Sequence, residues 1–363
     1  MGQHRMTAAI LFGGVSSEYE VSLQSAFSVI ENINRDKYDL VLIGITREGR
    51  WLLYTGPTDL IPQDRWQDPA WTLPAFVSPD QTIHGLVIPK ARDGSACSFQ
   101  HIDVVFPVLH GKNGEDGTVQ GLLQLAGIPY VGSGVLSCAA TMDKEVTHIL
   151  LENAGIRTSP WITVHREDLQ DLPALSARLD ETLGYPVFVK PANAGSSVGI
   201  SKVKAPDQLA CALELAFRHD EKVLIERAVP NPIEVESAVL GNPGGEITVS
   251  MLGEVVPCNE FYDYNAKYID NASQLFIPAR LDPELSEQVR SIAAKAYRLL
   301  GCRGLCRVDF LVSGDRGEIF LNELNALPGF TSISMYPKLM TAGGVSYADL
   351  IDRLLELAME DAV

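Results

Sequence analysis

Several signatures that would simplify the reading of these 363 residues are missing. No GxxxxGK(S/T) phosphate loop occurs, so any nucleotide must be held by other means. Six cysteines, at positions 97, 138, 211, 258, 302 and 306, form no CxxC pair and no Cys/His metal spacing. That usage excludes a zinc-ribbon or dithiol redox centre and reads as a reduced, cytoplasmic protein. No apolar run approaches the ~20 residues of a membrane span. The polar start Met1-Gly-Gln-His-Arg5 and the short apolar run Ala8 to Phe12 do not make a secretory signal. Positive charge is scarce: 29 Lys and Arg stand against 46 Asp and Glu, a net charge of −17. A nucleic-acid surface, which needs a basic face, is thereby excluded, and any anion site must be a local cluster of Lys and Arg. Repeats and low-complexity tracts are absent too. What remains is 46% hydrophobic and 21% charged, an ordinary globular composition with chain enough for two or three cored domains.

The apolar pattern organises that chain. Ala8 to Phe12 reads as a buried strand turned by Gly13-Gly14, with a helix carrying Ala26, Val29, Ile30 and Ile33 after it. Asp39 to Ile45 completes a β-α-β start and predicts an open parallel sheet, which Asp103 to Leu109 resumes. Residues 51–101, rich in Pro, Trp and Asp, read as hairpins and loops inserted between. From Met142 the character changes to α+β, with a helix over 144–154 and strands at 185–190, 223–226 and 234–239. A long helix over 283–300, a hairpin and a closing helix from Tyr347 to Met359 end the chain. The expected domains are 1–141, 142–235 and 236–363.

Chemistry concentrates in the hairpin. In a strand, residues i and i+2 face the same way, so Arg307 and Asp309 share one face and Glu323 and Asn325 share one face of the next strand. Gly314-Asp-Arg-Gly317 between them predicts an antiparallel pair. Two carboxylates and an amide beside a fixed guanidinium suit Mg²⁺ on polyphosphate oxygens, or a salt-bridge ladder. Lys190, closing an apolar strand, precedes the small-residue loop Pro191-Ala-Asn-Ala-Gly195-Ser196-Ser197-Val-Gly199, whose backbone N–H groups can approach phosphate. Lys144 opens a helix against the macrodipole, which leaves either an anionic ligand or a solvated side chain. His110-Gly111 with Gly114-Glu-Asp-Gly117, and Glu20 after the first strand, lie at the carboxyl edge of the sheet, where ligands bind in open α/β folds. Each equally fits a turn or a helix start. Phe261 to Tyr268 crowds aromatics and charge into a loop that reads as a lid, and Leu327 to Met335 offers small-residue donors beside the hairpin.

In this order, these seven segments resemble the ATP-grasp superfamily and, more narrowly, its D-alanine–D-alanine ligase family, over nearly the whole chain. The resemblance implies an ATP-grasp fold: an N-terminal open parallel α/β domain plus two α+β domains clasping the nucleotide. It implies ATP- and Mg²⁺- or Mn²⁺-dependent joining of two D-alanines for peptidoglycan precursors by a cytoplasmic homodimer with no membrane or nucleic-acid partner.

By motif, Glu20 would hold the first D-alanine's amine, and Ser196 would hydrogen-bond Glu20 and the lid tyrosine. Lys144, Lys190, Ser197, Glu226, Arg227, Val229, Glu234 and Lys267 would bind ATP, with Glu226 and Glu234 at adenine and ribose. Tyr268 would close the lid, and His110 would join the substrate site. Arg307 and the Gly329 N–H would stabilise the acyl phosphate and tetrahedral intermediate. Asp309, Glu323 and Asn325 would bind two Mg²⁺. Ser334 would orient the second substrate, beside Met335. The link Val229 to Glu234 is one residue longer than usual in the family, which bears on Glu234. Lys267-Tyr268 in place of the histidine-bearing loop of D-lactate-type ligases, and Met335 in place of the arginine of several variants, favour D-alanine as second substrate. The segment Phe12 to Ala26 also resembles D-serine ligases. A regulator that kept the fold and lost catalysis would show gaps among Arg307, Asp309, Glu323 and Asn325, and there are none.

Overall fold

The computed structural model describes residues 5–89, 97–256 and 274–360. The chain opens with β1 (Met6–Gly13), helix α1 (Tyr19–Asn32) and β2 (Tyr38–Ile45), followed by β3 (Trp51–Tyr54) and β4 (Thr72–Pro74). A separate three-stranded sheet holds β5 (Phe76–Val77), β6 (Gly85–Ile88) and β7 (Ser98–His101), and β8 (Val104–Pro107) returns to the first. The first sheet has the order β4-β3-β2-β1-β8, with β2 and β8 parallel to β1 and the added strands antiparallel. Ala8 to Phe12 are fully buried. A parallel strand covered on both faces reads as just such an unbroken apolar run.

Helices α2 (Thr118–Ala126), α3 (Val135–Met142) and α4 (Lys144–Asn153) lead into a second sheet of β9 (Trp161–His165), β10 (Val187–Pro191), β11 (Ser201–Val203) and β12 (Lys222–Arg227). Helices α5 (Leu172–Thr182) and α6 (Leu209–Ala216) pack beside it, and its core of residues such as Val164, Leu179, Val189, Leu213 and Ile225 is its own.

The largest sheet combines β13 (Pro232–Gly241), β14 (Thr248–Val249), β15 (Gly253–Val256), β16 (Gln274–Phe276), β17 (Gly304–Ser313) and β18 (Ile319–Asn325). The border expected at 235/236 falls inside β13, which pairs with β17 along its whole length, so the change of sheet lies earlier, between β12 and β13. Helix α7 (Pro283–Leu299) covers one face, buried through Val289, Ala293, Ala296 and Tyr297. Its start is set by Pro283 and by the Asp282 carboxylate, which accepts from Glu284 N. Helices α8 (Met335–Ala342) and α9 (Tyr347–Glu360) close the chain. Leu350, Ile351, Leu354 and Leu355 of α9 share one core with Phe12, Tyr19 and Trp66 near the other end of the sequence. Among the described residues no helix is long and apolar enough to cross a membrane.

Candidate active site

The β17–β18 pair is antiparallel as expected, with Arg307 opposite Asn325 and Asp309 opposite Glu323, and the register slips just after Asp309. Arg307 donates from Nε to Asp309 Oδ1 at 2.8 Å and from Nη2 to Oδ2 at 2.7 Å, and Asn325 Nδ2 donates to Oδ2 at 3.1 Å. On the other side β13 sets Ala238 opposite Arg307 and Glu236 opposite Asp309. Glu236 Oε2 lies 3.0 Å from Arg307 Nε. Burial opposes the charge on Arg307, but Asp309 and then Glu236 outweigh it and hold the guanidinium firmly protonated.

Lys190 stands across from this hairpin. Its Nζ donates to Glu226 Oε2 at 2.6 Å and reaches Asn322 Oδ1 of β18 at 3.4 Å, tying the second sheet to the third. His148 of α4 approaches Glu226 Oε1 to 3.4 Å, yet that oxygen and both imidazole nitrogens are buried without a hydrogen bond. Buried polar atoms are rarely left so, and donors and acceptors of a nucleobase or ribose would satisfy them. Burial raises the Glu226 pKa, but the charge of Lys190 and its hydrogen bond outweigh it and hold the carboxyl below its ordinary value.

Lys144 sends its Nζ to the carbonyl of Ala194 at 2.7 Å, and its backbone N–H to Ala192 at 3.0 Å. Its opposition to the helix macrodipole is offset by its neighbours. Asp143 caps α4 by accepting from Val146 N, and Glu145 lies in the first turn. Lys222 clamps both carboxylates, at 2.7 Å to each. The loop after Lys190 holds Ser196 and Ser197 at φ +48° and +59°. Such left-handed positions cost a non-glycine residue about 1–2 kcal/mol each, so the surroundings impose this conformation.

The expected contact between Ser196 and Glu20 is not made. Ser196 Oγ donates to Glu18 instead. Glu18 is the N-cap residue of α1 and is 6% exposed at the sheet edge. Glu20, two residues into the helix, is carried outward, where its side chain is 60% exposed and pairs with Arg47 at 2.5 Å. The glycines nearby make room for Glu18: a Cβ on Gly195 would come within 2.9 Å of Oε2, and one on Gly111 would collide with it. His110 is buried alongside, 3.5 Å from Glu115 through Nδ1 and 3.1 Å from Ser25 Oγ through Nε2. Burial lowers its pKa, but Glu115 and the charge of Glu18 prevail, and the imidazole sits above its ordinary value.

The segment after β18 closes over this edge. Phe330 N reaches Ser25 Oγ at 3.4 Å, and Ser334 Oγ accepts from Thr331 N at 3.1 Å. A Cβ on Gly329 would sit 3.1 Å from Ser334 Oγ, which places these two residues together. Met335 is buried in the core and packs on Gly253, where a Cβ would meet its sulfur at 2.6 Å. Arg227 turns its guanidinium away, to the carbonyls of Leu183 and Thr182, and Val229 is buried. Glu234, two residues before Glu236 on β13, shares its face. The lid residues Lys267 and Tyr268 lie outside the described residues.

Asp309, Glu323 and Asn325 form an all-oxygen donor set, which fits a hard divalent cation. Among the described residues no three His, Cys, Asp or Glu side chains cluster as a metal site.

The chain is similar to known proteins over nearly its whole length. Residues 7–133 match the family model described as D-ala D-ala ligase N-terminus, and residues 150–356 match D-ala D-ala ligase C-terminus. A D-alanine–D-alanine ligase of Caldicellulosiruptor bescii is 50% identical over 357 residues, 98% of this chain and 96% of that one. One of Acetivibrio thermocellus is 48% identical over 361 residues, 97% of this chain and 95% of its own. Among solved structures, the VanG D-Ala:D-Ser ligase of Enterococcus faecalis is similar with a TM-score of 0.88 and 42% identity, covering 98% of this chain and all of that one. The D-alanine-D-alanine ligase of Coxiella burnetii follows at 0.83 and 31%, covering 99% of this chain and 95% of its own.

Proposed function

The chain belongs to the D-alanine–D-alanine ligase family, and from that premise we propose how its residues work. The protein joins two D-alanines into D-alanyl-D-alanine for peptidoglycan precursors, with ATP as the driving reactant. The carrying observation is the facing set Arg307, Asp309, Glu323 and Asn325, bridged to Lys190 through Asn322.

Glu18, in the place first given to Glu20, takes the ammonium group of the first D-alanine; Ser196 holds the Glu18 carboxylate, and His110 lies within its field. Lys144 and Lys190 hold the phosphates, while Glu226 and Glu234 face adenine and ribose. A carboxylate oxygen of the first D-alanine attacks the γ-phosphorus, and ADP leaves. The neutral amine of the second D-alanine, oriented by Ser334, then attacks the acyl carbon and expels phosphate, which carries off the proton the nitrogen gives up. Arg307 and the Gly329 N–H face the charge that grows in both steps, where preorganised donors act most strongly. Two Mg²⁺ or Mn²⁺ ions on Asp309, Glu323 and Asn325 would screen the repulsion between carboxylate and triphosphate. Lys267 and Tyr268 would close the site against water.

The enzyme works in the cytoplasm as a homodimer. Outward apolar residues on adjacent helices, Leu136 of α3 at 81% exposure with Val146, Ile149 and Leu150 of α4, support a second copy as the partner. The likeness to the D-Ala:D-Ser ligase favours D-serine as the rival second substrate. Competition among equal D-alanine, D-serine and D-lactate with ATP and Mg²⁺, read by mass spectrometry, tests the reading. D-Alanyl-D-alanine is expected as the main product, and a majority of either mixed product overturns it.

A further inference from the structure

Glu236 is a buried carboxylate on the catalytic face with no task in the scheme above. Across β13 and β17 it stands opposite Asp309, and alternate residues of a strand share a face, so it projects on the side of Arg307. Its Oε2 lies 3.0 Å from Arg307 Nε, with side chains only 10% and 16% exposed. Arg307 therefore has anionic neighbours on three strands, Glu236 on β13, Asp309 on its own strand and Glu323 on β18. Asp309, on its own strand, aligns with both the Nε–H and Nη2. One N–H can be aligned on one acceptor only, which leaves Glu236 holding the same edge as an ion pair.

Asp309 is also a proposed metal ligand. A cation on Asp309 competes with the guanidinium for the lone pairs of its carboxylate, and Oδ2 already accepts from both Arg307 and Asn325. The planar fork of arginine is fixed in space only while one edge is gripped. We infer that Glu236 is a positioning residue for Arg307: from β13 it holds the Nε edge, so that the terminal nitrogens stay turned to the transferring phosphoryl group while Asp309 engages the cation. This rests on the ligase reading for the roles of Arg307 and Asp309. Glu236 touches no reacting atom in that scheme and acts through Arg307.

The test uses Glu236→Ala and Glu236→Gln in the full chain, each alone and combined with Arg307→Ala. The readouts are kcat, KM for ATP, and the affinity for ADP with Mg²⁺ by calorimetry. Glu236→Ala is expected to lower kcat about 10- to 100-fold, the scale of a misplaced catalytic group. KM for ATP and the Mg²⁺·ADP affinity should stay within about 3-fold, since uniform binding is untouched. Glu236→Gln, which keeps the volume and lacks the charge, should fall between, and it carries the test if the alanine variant does not fold. On the Arg307→Ala background either substitution should cost less than about 2-fold, because a residue acting through another is not additive with it. A kcat within about 2-fold of the parent for both variants, a loss confined to KM, or the full loss again without Arg307 overturns the inference. Failure of the ligase reading itself would show separately, as a parent enzyme that makes no D-alanyl-D-alanine.

Discussion

Two glutamates two residues apart, Glu18 and Glu20, offer a direct trial of the site. The perturbation is Glu→Gln at each, which removes the charge and keeps the shape. Glu20 is exposed and pairs directly with Arg47 at the surface. Such surface pairs contribute about 0–1 kcal/mol and have no reach into the site, so Glu20→Gln should leave kcat/KM for D-alanine within about 3-fold. Glu18 is buried, accepts the Ser196 hydroxyl and lies within the field of His110. A hydrogen bond to a charged partner contributes about 1.5–3 kcal/mol, so losing the carboxylate that meets an ammonium group should lower kcat/KM for D-alanine about 10- to 150-fold. ADP release at varied D-alanine and saturating ATP measures both. If Glu20→Gln proves the more damaging, or Glu18→Gln matches the parent, the geometric reassignment is wrong.

Further outcomes follow from the same geometry. Arg307→Ala should cut kcat by at least about 100-fold with little change in ATP affinity, as for loss of an oxyanion donor, and a change in KM alone would contradict that. Glu323→Gln should lower turnover at least about 100-fold, beyond the 10–100-fold typical of groups that only orient ligands, and excess EDTA should silence the parent. His148 faces Glu226, Lys190, Lys144 and Glu152 and packs edge-on against Trp161; burial is the main cause holding its pKa below 6.5. The unfolded chain then binds a proton that the folded one refuses, so stability is gained as pH rises through the window up to 6.5 and lost on acidification. Melting curves should show His148→Gln losing less Tm than the parent between about pH 7 and about pH 5.5, and parallel losses would refute it.

The hairpin was legible because its evidence is local: alternation at two residues and a Gly-flanked turn specify which side chains share a face. Helices α4, α7 and α9 were legible from apolar spacing in the same way. What escaped depends on distant partners. Glu236 looks like any strand carboxylate until β13 is laid against β17, about seventy residues on, and the border expected at 235/236 for that reason cuts through the strand that carries it. Glu18 and Glu20 are told apart only by where α1 begins, and an offset of two residues on a helix start turns a side chain from the crevice to solvent. His148 gave no signal because its importance lies in the polar atoms it leaves unbonded, a property of packing and not of residue type.

The separation of the cores has a mechanical consequence. Both ends of the chain are stitched into one interior, where α9 shares neighbours with β1 and α1, while the sheet carrying Lys190 and Glu226 keeps an interior built from its own residues between Val164 and Ile225. A segment with its own interior swings or loosens as a unit without exposing the apolar contacts of its neighbours. The long stretch between α4 and β13 is thus a block with its own core, joined to the rest of the chain largely by polar contacts such as Lys222–Asp143, Lys144–Ala194, Ser196–Glu18 and Lys190–Asn322.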